Sequence, residues 1–108
     1  MTEITDLVRN YFYERGLVWP KTVWEALGWA HTELGEVYEL VLSRRKGWLR
    51  NNPENHSKFT AARLAEELGD TIMMLVVAGI VEGVDPVEAL REKIIRILYA
   101  EDEDGEPN

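Results

Sequence analysis

Ile72-Met73-Met74-Leu75-Val76-Val77-Ala78-Gly79-Ile80-Val81 is ten residues long and carries no polar side chain. Crossing a bilayer takes ~20 apolar residues, so no membrane partner is expected. The run follows Glu66-Glu67-Leu68-Gly69-Asp70 and stops at Gly83. It reads as the second half of a helix that begins near Ser57 or Thr60 and ends about Glu82. Wound as a helix, the run is apolar on every side and has to be covered on every side. The chain has 108 residues, the size of one domain. About three other helices, one of them short, remain to provide that cover. Partner subunits are the simplest source of the rest, which predicts a homodimer or homotetramer. The plain alternative is that the first and last segments suffice.

The remaining sequence supports helices throughout. In Thr2–Arg15, Ile4, Leu7, Val8, Tyr11 and Phe12 recur at amphipathic-helix spacing, and Gly16 is a stop. Trp19-Pro20 marks a turn. Thr22-Val23-Trp24-Glu25 has a capping-box pattern and opens a helix to about Lys46. There Arg44-Arg45-Lys46 suits the negative end of the dipole. Gly47–His56 is polar, contains Asn51-Asn52-Pro53 and reads as a loop, with Trp48 and Leu49 folding back. Asp85-Pro86-Val87-Glu88 supplies a cap, a proline at the first helical position and a glutamate three residues after the cap. No strand pattern or internal repeat occurs. The expected architecture is all-α: a four-helix bundle-like subunit over residues 1–100 and an acidic, unstructured tail over 101–108.

Composition narrows the function. There is no cysteine, which excludes disulfides and thiolate chemistry, and two histidines alone make a structural zinc site a poor fit. No signal peptide is legible in Met1–Asn10, so a cytoplasmic protein is expected. The net charge is −8, but Glu101–Asn108 holds five acids and no base. Without that tail 15 acids face 12 bases, and no basic face suggests DNA binding.

Two acidic pairs stand out, Glu33-x-x-Glu36 and Glu67-x-x-Asp70. Members of each pair lie one turn apart on one helix face. Trp29, Glu33, Glu36 and Leu40 form one stripe, and Arg63, Glu67, Asp70 and Met74 form another. Both pairs therefore border the core, where four close negative charges repel and lose hydration. Only Arg63 is in register as an internal base. The other remedy is a hard divalent cation, and Mg²⁺ takes a few carboxylates, water and phosphate. The alternative is a solvated charged face.

Thr32-Glu33-Leu34-Gly35-Glu36-Val37-Tyr38-Glu39-Leu40 and Glu66-Glu67-Leu68-Gly69-Asp70-Thr71-Ile72 resemble the E-x-x-E … E-x-x-D signature of the MazG-like nucleotide pyrophosphohydrolases, part of the all-α NTP pyrophosphatase superfamily. The likeness spans about residues 20–100. It implies a four-helix oligomeric fold and hydrolysis of a (d)NTP to the monophosphate and pyrophosphate with Mg²⁺, or Mn²⁺. It makes Glu33, Glu36, Glu67 and Asp70 the metal ligands and catalytic residues. The sequence departs from the pattern at Thr32, where many members have a glutamate. It departs again in the last helix, where Ile94 and Ile97 occupy the places of a frequent asparagine and Tyr99 or Ala100 that of an arginine.

Lys93 and Arg96 keep basic character in that helix and, with Lys21, are candidate phosphate contacts. Trp19 and Trp24 are candidates for stacking on a base, although core or interface packing also accounts for tryptophans, as it does for Trp29. Arg50 with Arg44–Lys46 could form a basic rim. His31 and His56 are not expected to ligate, and the Glu-x-x-His pairs of di-iron bundles are missing. The leading expectation is a nucleoside triphosphate pyrophosphohydrolase. The alternatives are a pyrophosphohydrolase acting on another nucleotide, such as phosphoribosyl-ATP, and a non-catalytic helical interaction module.

Overall fold

In the computed structural model, which describes residues 2–44 and 59–104, the chain begins with Thr2 capping a helix. This helix, α1, spans Glu3–Arg15 and closes on Gly16, whose φ of 63° is the left-handed conformation glycine adopts freely. Helix α2 spans Val23–Leu42. The Thr22 hydroxyl accepts the Glu25 N–H at 3.1 Å, and the Glu25 carboxylate accepts the Lys21 N–H at 3.3 Å. The helix ends at Leu42, short of the expected Lys46, and its last turn holds no base. The Ser43 hydroxyl instead donates to the Leu40 carbonyl at 2.6 Å. Arg44 lies beyond the helix with its guanidinium 4.0 Å from the centre of the Phe59 ring, a cation–π contact rather than a dipole contact. Arg45–Lys58 lie outside the described residues. With them lie the expected loop, the fold-back of Trp48 and Leu49, the Ser57 cap, Arg50 and His56.

Helix α3 spans Ala61–Val81, with Thr60 accepting the Arg63 N–H at 3.1 Å. Helix α4 spans Pro86–Asp104. It extends into the acidic segment that was expected to be unstructured; glutamate favours helix enough to offset acids at the negative end. Gly105–Asn108 lie outside the described residues.

The Arg44–Phe59 contact joins the end of α2 to the start of α3, and Glu33 of α2 meets Glu67 of α3. The two helices therefore run antiparallel. Ala26 and Ala30 lie against Met74, Val77 and Ile80, and Val8 and Phe12 of α1 complete the core. Small residues on α2 let the backbones approach closely. Ala26 and Val77 are both fully buried.

Helix α4 stands apart. Among Pro86–Ala100 no residue is buried. The radius of gyration is 18.1 Å, against ~13 Å for a compact domain of this length. The described residues are all-helical, with no strand, and they form a three-helix body with a further helix outside it rather than a closed four-helix bundle. The apolar run is also better covered than expected. Val76, Val77, Ala78 and Ile80 are buried within the chain, while Ile72 and Leu75 remain 57% and 47% exposed. Among the described residues, no helix is long and apolar enough to cross a membrane.

The junction between α3 and α4 is tightly built. Gly83 has φ 73°. A Cβ on Gly79 would lie 2.6 Å from Pro86 Cγ and 2.7 Å from the Val84 carbonyl oxygen, so only glycine fits there. The Val84 N–H donates to the Gly79 carbonyl at 2.8 Å. Asp85 Oδ1 accepts the N–H groups of Val87 at 3.0 Å and Glu88 at 3.1 Å. The same carboxylate accepts from the Thr2 N–H and hydroxyl. One side chain thus ties together the N-termini of α1 and α4. Burial alone would raise the Asp85 pKa, but these four hydrogen bonds outweigh it and hold the carboxyl below the ordinary aspartate value.

Candidate metal centre

The middle of the α2–α3 pair carries the acidic cluster. The three- and four-residue steps that put Val37, Leu40, Thr71 and Met74 into the buried surface put Glu33, Glu67 and Asp70 at its edge, all half-buried. One carboxylate oxygen from each of these three lies within 4.8 Å of the others. Glu36, which is exposed, is not part of this tightest group. It lies close enough for its charge to act on both Glu33 and Glu67. The structure thus brings together both acidic pairs legible in the sequence, with Glu36 as the outer lip.

Among the described residues no base pairs with them. Burial raises the Glu33 carboxyl pKa above its ordinary value, and the charges of Glu36, Asp70 and Glu67 raise it further. Burial likewise raises the Glu67 pKa, with Glu36, Asp70 and the neighbouring Glu66 adding to it. Glu66 is a contributor that the spacing did not single out, although its place beside Glu67 was the available signal. Arg63, the base in register, makes no ion pair with the cluster; among the described residues the one ion pair is Arg91–Glu88 at 3.3 Å, on α4. Glu67 Oε2 is buried without a hydrogen-bond partner. A buried oxygen of that kind is costly. Facing other carboxylates, it fits a divalent cation that takes oxygen donors.

The candidate substrate residues fall elsewhere. Trp19 is half-buried, edge-on to Phe12 with ring centres 5.0 Å apart, and belongs to the core. Trp29 also packs on the core, while Trp24 is 82% exposed. Lys21, Lys93 and Arg96 are exposed, and none makes an ion pair with the carboxylates. His31 is exposed on α2. Among the described residues the structure assembles the carboxylates without a basic or aromatic surround.

No family model, curated protein or solved structure matches this chain.

Proposed function

We propose that the chain is a cytoplasmic, homo-oligomeric nucleotide pyrophosphohydrolase that uses Mg²⁺, or Mn²⁺, to cleave a (d)NTP to the monophosphate and pyrophosphate. The observation that carries this reading is the convergence of half-buried carboxylates from two helices, with no base paired to them among the described residues and with Glu67 Oε2 buried and unpartnered. The short E-x-x-E … E-x-x-D resemblance gives the reaction class. Glu33, Glu36, Glu67 and Asp70 would hold the cation. When bound, a divalent ion links an anionic protein surface to an anionic polyphosphate and lowers the pKa of an attached water. The carboxylates sit on two packed helices, so their placement does not depend on the substrate. Lys93 and Arg96 are the candidate phosphate contacts, with exposed Lys21 and Trp24 near the start of α2; Trp19, packed on the core, is not among them.

The test is a panel of nucleoside triphosphates and other pyrophosphate-containing nucleotides, phosphoribosyl-ATP included, assayed with Mg²⁺ for pyrophosphate release. Calorimetric titration with Mg²⁺, with and without nucleotide, runs beside it. Release from at least one nucleotide is expected. Metal binding without any turnover would favour a non-catalytic helical module, and no metal-dependent signal of either kind would overturn the site.

A further inference from the structure

We infer that the contact between Thr2 and Asp85 is a conformational latch: α1 seated on the body fixes the direction of α4, and α1 lifting releases it. The contact joins residues 83 apart in the sequence. Asp85 divides its two oxygens between near and far partners. Oδ1 accepts the Val87 and Glu88 N–H groups, which is what capping α4 requires. Oδ2 is left for the Thr2 N–H, and the Thr2 hydroxyl donates to Oδ1 at 3.3 Å. On the α1 side, the Thr2 carbonyl accepts the Thr5 hydroxyl at 2.7 Å, and Thr5 is fully buried. An unbroken line of hydrogen bonds therefore runs from a buried side chain of α1 to the first turn of α4.

Both helices are otherwise lightly held. The buried residues of α1 are Thr5, Val8 and Phe12, one narrow stripe. On α4, Pro86–Glu88 are half-buried and residues 89–99 are exposed. The body therefore grips α4 only at its root, through the close approach of Pro86 to Gly79 and through Asp85. A helix of 19 residues is ~28 Å long, so a turn of ~10° at the root moves its far end by ~5 Å. Lys93 and Arg96 ride on this helix. The latch thus sets where those cations stand relative to the carboxylates of α2 and α3, a consequence that alone rests on the pyrophosphohydrolase reading.

Hydrogen exchange tests the latch without metal or nucleotide, which keeps its failure distinct from failure of the enzyme reading. Two helix amides report: Asp6, bonded to the Thr2 carbonyl at 3.2 Å, and Ala89, bonded to the Asp85 carbonyl at 2.9 Å. Asp85→Asn keeps the shape and caps a helix as well as aspartate does, but one of its two side-chain positions becomes an N–H donor and cannot accept. Thr2→Pro removes the N–H and the hydroxyl at a φ of −76°, which proline adopts. Asp85→Asn should speed exchange at Asp6, and Thr2→Pro at Ala89, each by roughly tenfold or more, the size expected for a hydrogen bond to a charged group. The double variant should be no faster at either amide than the faster single variant, and the α2 amides should not change. Asp85→Asn alters no residue of α1, so its effect at Asp6 decides the matter even where Thr2→Pro loses helix by circular dichroism. Exchange that rises only within the substituted helix would overturn the latch. So would effects that multiply in the double variant, or an equal rise in α2, which marks general loss of stability.

Discussion

Val77 on α3 and Leu98 on α4 are apolar residues in helices of similar length, 21 and 19 residues, yet Val77 is fully buried and Leu98 is 63% exposed. The charged residues divide in the opposite way. Among the described residues the half-buried carboxylates on α2 and α3 pair with no base, and exposed Lys93 and Arg96 on α4 pair with no acid. Both regions form helices from local pattern and caps. What separates them is the junction at Gly79–Asp85, which directs one helix away from the body. A helix's amphipathic stripe marks the face that can be covered; the connection decides whether the chain's own body covers it.

Breaking that contrast at its buried side gives the largest effect. Met74 is 7% exposed beside the acidic cluster, and Met74→Ala should cost ~2–5 kcal/mol. The same truncation at Leu98 should change stability by less than ~0.5 kcal/mol once dilution has dissociated any oligomer. Urea unfolding of both variants checks this, and equal losses would mean that α4 packs on its own body.

The second contrast lies within the acidic helices. Asp70→Asn removes one anionic donor from the cluster and should lower pyrophosphate release roughly 10²-fold or more at saturating Mg²⁺, on the order of 2.7 kcal/mol. Glu39 is exposed on α2 and lies ~120° around the helix from Glu33. Glu39→Gln should therefore stay near normal. The reverse ranking would reassign the site even if the enzyme class were right.

Gly79→Ala sharpens the account of the junction. Its Cβ would press on Pro86 and the Val84 carbonyl, which should cost ~1–3 kcal/mol. Hydrogen exchange should then rise at the start of α4 before it rises in α2. Uniform acceleration would show that the junction is not a local constraint.

The smallest effects are opposite responses to pH in the metal-free chain. Glu33 and Glu67 have raised pKa values, so the folded state holds their protons more tightly than the unfolded state. Their contribution is favourable on the acid side and is lost as pH rises through the raised values. Asp85 has a lowered pKa, so its contribution is present above the ordinary aspartate value and is lost as pH falls through the folded one. Glu67→Gln should therefore raise the metal-free melting temperature by a few degrees at neutral pH and flatten the alkaline slope. Asp85→Asn should weaken the acid-side dependence alone. Melting curves across pH, repeated with Mg²⁺, separate the two.

Much of this was legible because it is local. Thr22, Thr60 and Asp85 cap helices where the sequence puts capping residues, and Gly16 and Gly83 stop them. The meeting of the two acidic pairs was also legible, since each lies on a stripe that borders the core. The end of α2 was not, because the Arg44–Phe59 contact joins residues separated by a long connection. Nor was the second role of Asp85, whose partner Thr2 is 83 residues away. The burial of half of Ile72–Val81 within one chain was missed; those residues share a core cluster with Ala26 and Ala30 of α2 and with Val8 and Phe12 of α1.

By itself the sequence determined four helices, their caps and the two acidic pairs, because backbone hydrogen bonds and 3.6-residue periodicity act over a few residues. Tertiary structure decided which oxygens converge, which one is left buried without a partner, and that α4 leaves the body with its apolar seam open. Those outcomes depend on how closely helices approach and on the angle of one junction. Spacing along a chain does not encode them until the contacts form.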